Sequence, residues 1–252
     1  MAMTIYQAAV LLAAGTLGGI ASTVASVASV VSYPVLLALG LPPLSANVTN
    51  TMSLVLTGAG SVLGSRPELD GQRGRVLRLG AVTALGGAAG AAVLLLAPAG
   101  AFGFVVPVLI GGASLVLLAQ PAIRGLSPRP DAERSWWRLA VVFGVAAYVG
   151  YFGAAGGVLM LTALAAMISE SLLRVNAIKN AVSGAANGVA AVMFAAFAPV
   201  HWVFVPPLAA GFLAGGFTGP RLVRRLPVKA LRVFVALCGL ALAVRLGMAA
   251  YG

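Results

Sequence analysis

Gly86-Gly87-Ala88-Ala89-Gly90 recurs later in the chain as Gly215-Gly216-Phe217-Thr218-Gly219, at an offset of 129 residues (215 against 86). The same offset links Pro98 to Pro227, and Ala46-Asn47 to Val175-Asn176. Self-similarity at one fixed offset points to two copies of one structural unit. The charges around the copies predict how they are related. Arg66, Arg73, Arg75 and Arg78 crowd one loop of the first copy, while its counterpart, Ala198-Pro199-Val200-His201-Trp202, has no Lys or Arg. One helix later the pattern reverses. Ala97-Pro98-Ala99-Gly100 is uncharged, and its counterpart holds Arg221, Arg224, Arg225, Lys229 and Arg232. Basic loops of membrane proteins stay cytoplasmic. Corresponding loops are therefore expected on opposite sides, which makes the repeats inverted, as in many secondary transporters.

Composition agrees with a membrane setting. Of 252 residues, 61% are hydrophobic and 8% charged, against about 25% charged in soluble domains. Such a chain lacks the polar surface to cover itself in water. Its apolar runs are long and continuous, whereas barrel strands alternate apolar and polar residues, so the spans are read as helices. The 32 glycines suit helices that approach closely in lipid. A net charge of +11 invites a nucleic-acid reading, but 13 of the 16 basic residues fall within 66–78, 124–138 and 221–232. That is a topology signal, and no nucleic-acid partner is expected. The single Cys238 excludes an intrachain disulfide. The start, Met1 to Gln7, has no basic region, so residues 4–25 read as a retained helix.

The fold class predicted is an all-α integral membrane protein of two inverted repeats, each of about five helical segments with a re-entrant or broken hairpin. Residues 1–120 form the first repeat, 121–138 a cytoplasmic basic linker and 139–252 the second repeat, together one membrane domain. Apolar stretches lie near 4–24, 27–41, 44–65, 76–97 and 101–120, then 139–153, 156–168, 172–198, 203–221 and 229–250. Stretches 27–41 and 156–168 are short for a crossing, which takes about 20 residues. Each either re-enters or pairs with the helix before it as two short tilted helices. With the three basic segments inside, both termini fall outside, and the chain is a multi-pass protein of the bacterial plasma (inner) membrane.

Polar groups in lipid need partners, so they face the bundle interior or a wet cavity. Asn176, Asn180, Ser183 and Asn187 follow helical spacing and share one face, with Lys179 beside them. Asn47, Asn50, Thr51, Ser53 and Thr57 occupy the equivalent helix start in the first repeat. Ser53, Thr57 and Ser183 read first as interhelical glue, and the four asparagines 47, 50, 176 and 180 as substrate contacts. Lys179 either snorkels to the cytoplasmic edge or faces a cavity. Gly153, Gly156 and Gly157 break the second hairpin and leave helix-start N–H groups open to an anion. Ser26 and Ser29 take their place in the first hairpin. Gly86-x3-Gly90, Gly184-x3-Gly188 and Gly215-x3-Gly219 read as packing contacts. Tyr33, Tyr148 and Tyr151 either line a pathway or pack.

The five carboxylates, Glu68, Asp70, Asp131, Glu133 and Glu170, all fall in loops or at the membrane edge. No buried proton relay or cation site is readable. Nor is there a metal-binding cluster, a serine-hydrolase motif or a nucleotide-binding loop. The expectation is a non-enzyme without cofactor or metal. Trp136, Trp137 and Trp202 fit interfacial belts, as does His201.

These motifs resemble the sulfite exporter TauE/SafE family of bacterial membrane proteins over nearly the whole chain. The second half carries the Gly153–Gly157 hairpin, then Val175-Asn176-Ala177-Ile178-Lys179-Asn180, then Gly215-Gly216-x2-Gly219. The first half carries Pro34, Ser45-Ala46-Asn47-Val48-Thr49-Asn50-Thr51 and Gly86-Gly87-x2-Gly90. Ser26 and Ser29 stand where that family usually has glycine, and Leu161 where a second proline is usual. The resemblance implies transport of a small sulfur-containing anion such as sulfite, a sulfonate or a sulfoacetate-like compound. A drug/metabolite-type exporter of another small metabolite is the alternative. Its partners are then a small anion and membrane lipid, with self-association into a homo-oligomer as an option.

Overall fold

The computed structural model describes residues 3–25, 27–98, 100–123, 135–223 and 228–251. The helices are α1 (Ile5–Ala25), α2 (Ala28–Ala38), α3 (Pro43–Gly64), α4 (Arg66–Leu69), α5 (Arg73–Leu96), α6 (Ala101–Ile123), α7 (Trp136–Tyr151), α8 (Gly156–Ala165), α9 (Leu172–Phe197), α10 (Val205–Val223) and α11 (Val228–Tyr251). No strand occurs among the described residues. Each predicted apolar stretch becomes one helix, and the four-residue α4 is the addition. The boundaries have local causes. Pro43 opens α3 at a first-turn position, where the missing N–H is not needed. Gly40, at φ +91, ends the α2 turn in the left-handed region. Ser171 caps α9 by accepting from the Arg174 N–H at 3.4 Å.

Four helical windows are long and apolar enough to cross a membrane among the described residues: Ile5–Ser22, Arg73–Leu96, Ala101–Ala119 and Leu172–Phe197. The protein is thus an all-α membrane protein. Helix α3 has 22 residues, yet Asn47, Thr49, Asn50, Thr51, Ser53 and Thr57 lower its hydropathy. Helices α2 and α8 have 11 and 10 residues. At 1.5 Å per residue they reach roughly 15–16 Å, about half of a 30 Å hydrocarbon core. Neither crosses alone, as their length in the sequence predicts.

Contacts between the halves are reciprocal. Helix α1 packs along α10, and α5 packs along α7. Both crossings are glycine-made. A Cβ at Gly215 would overlap the Thr16 carbonyl oxygen, and one at Gly90 the Ala147 carbonyl oxygen. Backbones can meet this closely only where side chains are absent. The expected packing role therefore holds for Gly86, Gly90 and Gly215, and for Gly184 against Gly58. It does not hold for Gly188, where a Cβ would meet nothing within 4 Å. The surroundings of Gly219 lie outside the described residues. Helices α6 and α11 run antiparallel, with Phe104 beside Tyr251, Gly111 facing Ala243 and Ser114 facing Gly239. Helices α3 and α9 also run antiparallel. They cross at Gly58 and Gly184, and the backbone N–H of His201, beyond the end of α9, donates to Thr49 Oγ1 near the start of α3.

Candidate functional site

Helices α3 and α9 touch at Gly58 and Gly184. Both glycines border a cavity of about 80 Å³, walled by α1, α2, α3, α7, α9 and the break between α7 and α8. That exceeds the roughly 10–15 Å³ that one water needs on the same measure, so a small hydrated anion can be accommodated. Ser22, Ser29, Thr51, Thr57, Ser61 and Ser183 line it, with Asn180 and Asn187; of these, Thr51 donates its hydroxyl to the Asn47 carbonyl at 3.1 Å. Lys179 lines it too and is only 3% exposed. The ammonium therefore does not snorkel to the membrane edge; the side chain is enclosed at the cavity. Among the described lining residues there is no carboxylate.

Two hydroxyls of the cavity wall are not paired within the described protein. Thr57 Oγ1 and Ser183 Oγ are buried and have no hydrogen-bond partner among the described residues. A buried hydroxyl left unpaired costs about 1–3 kcal/mol, and both line the cavity. They sit across the α3–α9 crossing from one another in the fold, one on each helix. The arrangement supplies one fixed cation and several neutral donors around a small space.

The sequence-predicted residues divide clearly. Ser29, Thr51, Gly153, Gly157, Lys179 and Asn180 line the cavity. Asn50 does not: its amide donates to Ser29 Oγ at 3.1 Å, and its carbonyl accepts from Ser32 Oγ at 2.6 Å. It pins α2 to α3. Asn47, 1% exposed, donates to the Tyr151 carbonyl at 2.9 Å and so ties α3 to the end of α7. Asn176 is half-buried and lies off the cavity wall. Gly156 packs its Cα side against Val149. Ser26 lies outside the described residues. Ser22 and Ser61 line the cavity without being predicted to, as do Thr57 and Ser183, which the sequence presents first as interhelical glue. The signal for Ser61 was present, because it continues the α3 stripe one turn beyond Thr57. Ser22 carries no such signal, since the polar residues of α1, Gln7, Thr16, Ser22 and Thr23, form no stripe like that of α3.

The break between α7 and α8 is shaped by backbone conformation and aromatic packing, with no side-chain cap at Ala155. Gly153 takes φ +75, and Ala155, unusually for a residue with a Cβ, takes φ +54. Tyr148 donates from its hydroxyl to the Ala154 carbonyl at 2.6 Å. Tyr33 donates to Pro43 O at 3.3 Å and stacks edge-on against Phe152 at 5.3 Å. Phe102 closes the group against Tyr151 at 5.7 Å. The three tyrosines thus brace the hairpins by packing. Gly157 lies in the first turn of α8, between Gly156, whose N–H donates to the Gly153 carbonyl at 3.1 Å, and Val158, whose N–H donates to the Ala155 carbonyl at 2.9 Å.

A model of the sulfite exporter TauE/SafE family matches residues 11–246. The chain belongs to that family. The TauE/SafE match covers both hairpins, both polar helices and all the cavity residues named above. It identifies the chain as a membrane transport protein of a sulfite-exporter family, which is not an enzyme class. No curated protein and no solved structure matches the chain significantly.

Proposed function

We propose that this protein is a secondary transporter or facilitator that moves a small sulfur oxyanion across the bacterial plasma membrane, with sulfite or a short sulfonate bound in the α3–α9 cavity. The observation that carries this reading is a lysine enclosed in a cavity whose other polar groups are hydroxyls and amides, two of the hydroxyls lacking a partner. An oxyanion leaving water must replace several hydrogen bonds at once. Charge-assisted donors do so most effectively. A carboxylate in the wall would oppose this, and the described wall has none. Sulfite and sulfonates offer three oxygens around one sulfur, which suits donors converging from α1, α2, α3 and α9. The antiparallel run of α3 against α9 and of α6 against α11 supports two inverted repeats, with the cavity at their centre, where transporters of this build bind substrate.

The test is sulfite-dependent flux in proteoliposomes. Lys179→Met should reduce binding about tenfold to a hundredfold, the worth of one hydrogen bond to a charged group, and flux should fall with it. Lys179→Arg keeps the charge and should retain part of the flux. Wild-type flux from the Met variant would remove the cavity from the transport path.

A further inference from the structure

The two polar helices leave the cavity on one face and run into the same cluster of side chains. Helix α3 ends at Gly64, three residues beyond Ser61 of the cavity wall, and the chain turns at once into α4. Helix α4 packs on α9, with Leu69 against the apolar cluster that contains Val175 and Ile178. On α9, Arg174 stands five residues before the wall residue Lys179, under one and a half turns. Gln72 and Arg75 at the start of α5 meet Glu170, just before α9, at this end of the pair. Gln72 is buried. Its Nε2 donates to Glu170 Oε1, its Oε1 accepts from Arg75, and Glu170 pairs with both Arg75 and Arg174.

The opposite face carries a counterpart. Gln72 and His201 are equivalent positions at the 129-residue offset that relates the halves (201 against 72). Gln72 follows α3 and α4 and bonds to the start of the α9 segment. His201 follows α9 and bonds to the first turns of α3, its backbone N–H donating to Thr49 Oγ1 at 2.9 Å. Each contact joins the exit of one polar helix to the entry of the other, one contact at each face. The contact on the face of basic segment 66–78 is ionic. The other is neutral, with Thr49 fully buried and the His201 ring edge-on to Phe204 at 4.4 Å.

We propose that these two contacts are alternating latches: release of the Gln72–Arg75–Glu170–Arg174 cluster lets α4 part from the foot of α9 and opens the cavity on the basic face, and release of Thr49–His201 opens it on the other. This rests on the transport reading of the cavity and adds how access to it is controlled. A cavity open on both faces at once would be a leak, so one latch holds while the other is released. A part-exposed ion pair is weak enough to break and re-form in every cycle. Loosening one latch shifts the population toward the state open on that face and away from the other.

The experiment reads access directly. Ser61→Cys in a Cys238→Ser background is the reporter, in inside-out membrane vesicles that present the basic face to a membrane-impermeant maleimide. Glu170→Gln and Arg75→Met should each raise the labelling rate about two- to fivefold, the population change that follows loss of one part-exposed ion pair. Thr49→Val, equal in shape, should lower it by about the same factor. A rate unchanged in both latch variants overturns the proposal. So does a rise in Thr49→Val, because general loosening of the fold would raise labelling in all three. A second arm uses Gln72→Cys with Glu170→Cys in the Cys238→Ser background, joined by a short reducible bis-methanethiosulfonate. Sulfite flux in proteoliposomes should stop on crosslinking and return on reduction, and full flux in the crosslinked protein overturns the latch. If the reduced protein moves no sulfite, the oxyanion reading fails, and the labelling arm still decides the latch by itself.

Discussion

Asn50 and Asn180 look alike in the sequence and do different work. Asn50 is saturated by two serine hydroxyls of α2, Ser29 and Ser32. Asn180 lines the cavity. Their replacements should separate accordingly. Asn50→Ala leaves Ser29 and Ser32 short of a buried partner, so thermal unfolding of the purified protein should come earlier, by about 1–3 kcal/mol of stability. Its effect on sulfite affinity should be the smaller one. Asn180→Ala should weaken sulfite binding by about tenfold, read by titration, with little change in stability. Equal effects of the two variants on both readouts would remove the distinction. Asn176→Ala, off the cavity wall, should bind as wild type. The face shared by positions 176, 180, 183 and 187 was legible from spacing. Which amide faces the cavity was not, because α2 arrives against one part of α3 and leaves the rest open.

At the scale of elements, glycine decides which helices can touch. Gly90 and Gly215 each sit against a carbonyl oxygen of the neighbouring helix, with no room for a Cβ. Gly90→Leu and Gly215→Leu should therefore push apart the α5–α7 and α1–α10 crossings. The checkable outcome is loss of monodisperse protein on gel filtration, since overpacking of a tight contact costs at least about 1–3 kcal/mol. Gly188→Ala meets open space and should be tolerated, with a small gain in stability expected from better helix propensity. The motifs Gly86-x3-Gly90 and Gly184-x3-Gly188 read identically in sequence. They differ because α7 lies along the whole of the first motif, whereas α3 crosses the second only at Gly184.

At the scale of the molecule, one charged cluster ties the first half to the second. Glu170 accepts from Gln72 Nε2 at 3.2 Å and pairs with Arg75 at 3.6 Å and Arg174 at 3.4 Å. The Gln72 hydrogen bond is the main reason its carboxyl is held below the ordinary value of 4.5; burial opposes the shift, and the two arginines add to it. A carboxyl lowered on folding contributes stability above its unfolded pKa, and that contribution disappears as pH falls through the folded value. Thermal stability should accordingly decline on acidification below about pH 4.5, and Glu170→Gln should flatten that part of the profile. An unchanged profile in Glu170→Gln would assign the acid sensitivity to other carboxylates. Topology is tested separately. In a Cys238→Ser background, Gly100→Cys and His201→Cys should label from outside and Asp131→Cys from inside. Labelling of positions 100 and 131 from one side would overturn the inverted arrangement.

The class, the ten apolar segments and most of their ends are legible in the sequence; α4 and the early stops of α2 at Ala38 and α8 at Ala165 are not. Hydropathy, glycine and proline placement and basic loops act locally, within a helix or its flanking turn, so they can be read without knowing any neighbour. The tertiary structure alone decided which polar residues line the cavity. Thr57 reads as glue because hydroxyls in lipid usually find a carbonyl or amide; it lines the cavity because Gly58 and Gly184 bring α3 and α9 into contact one residue away. Lys179 had two readings because its stem is long enough to reach the membrane edge. Packing of α3, α2 and the hairpin break around it removed that route and enclosed it at the cavity.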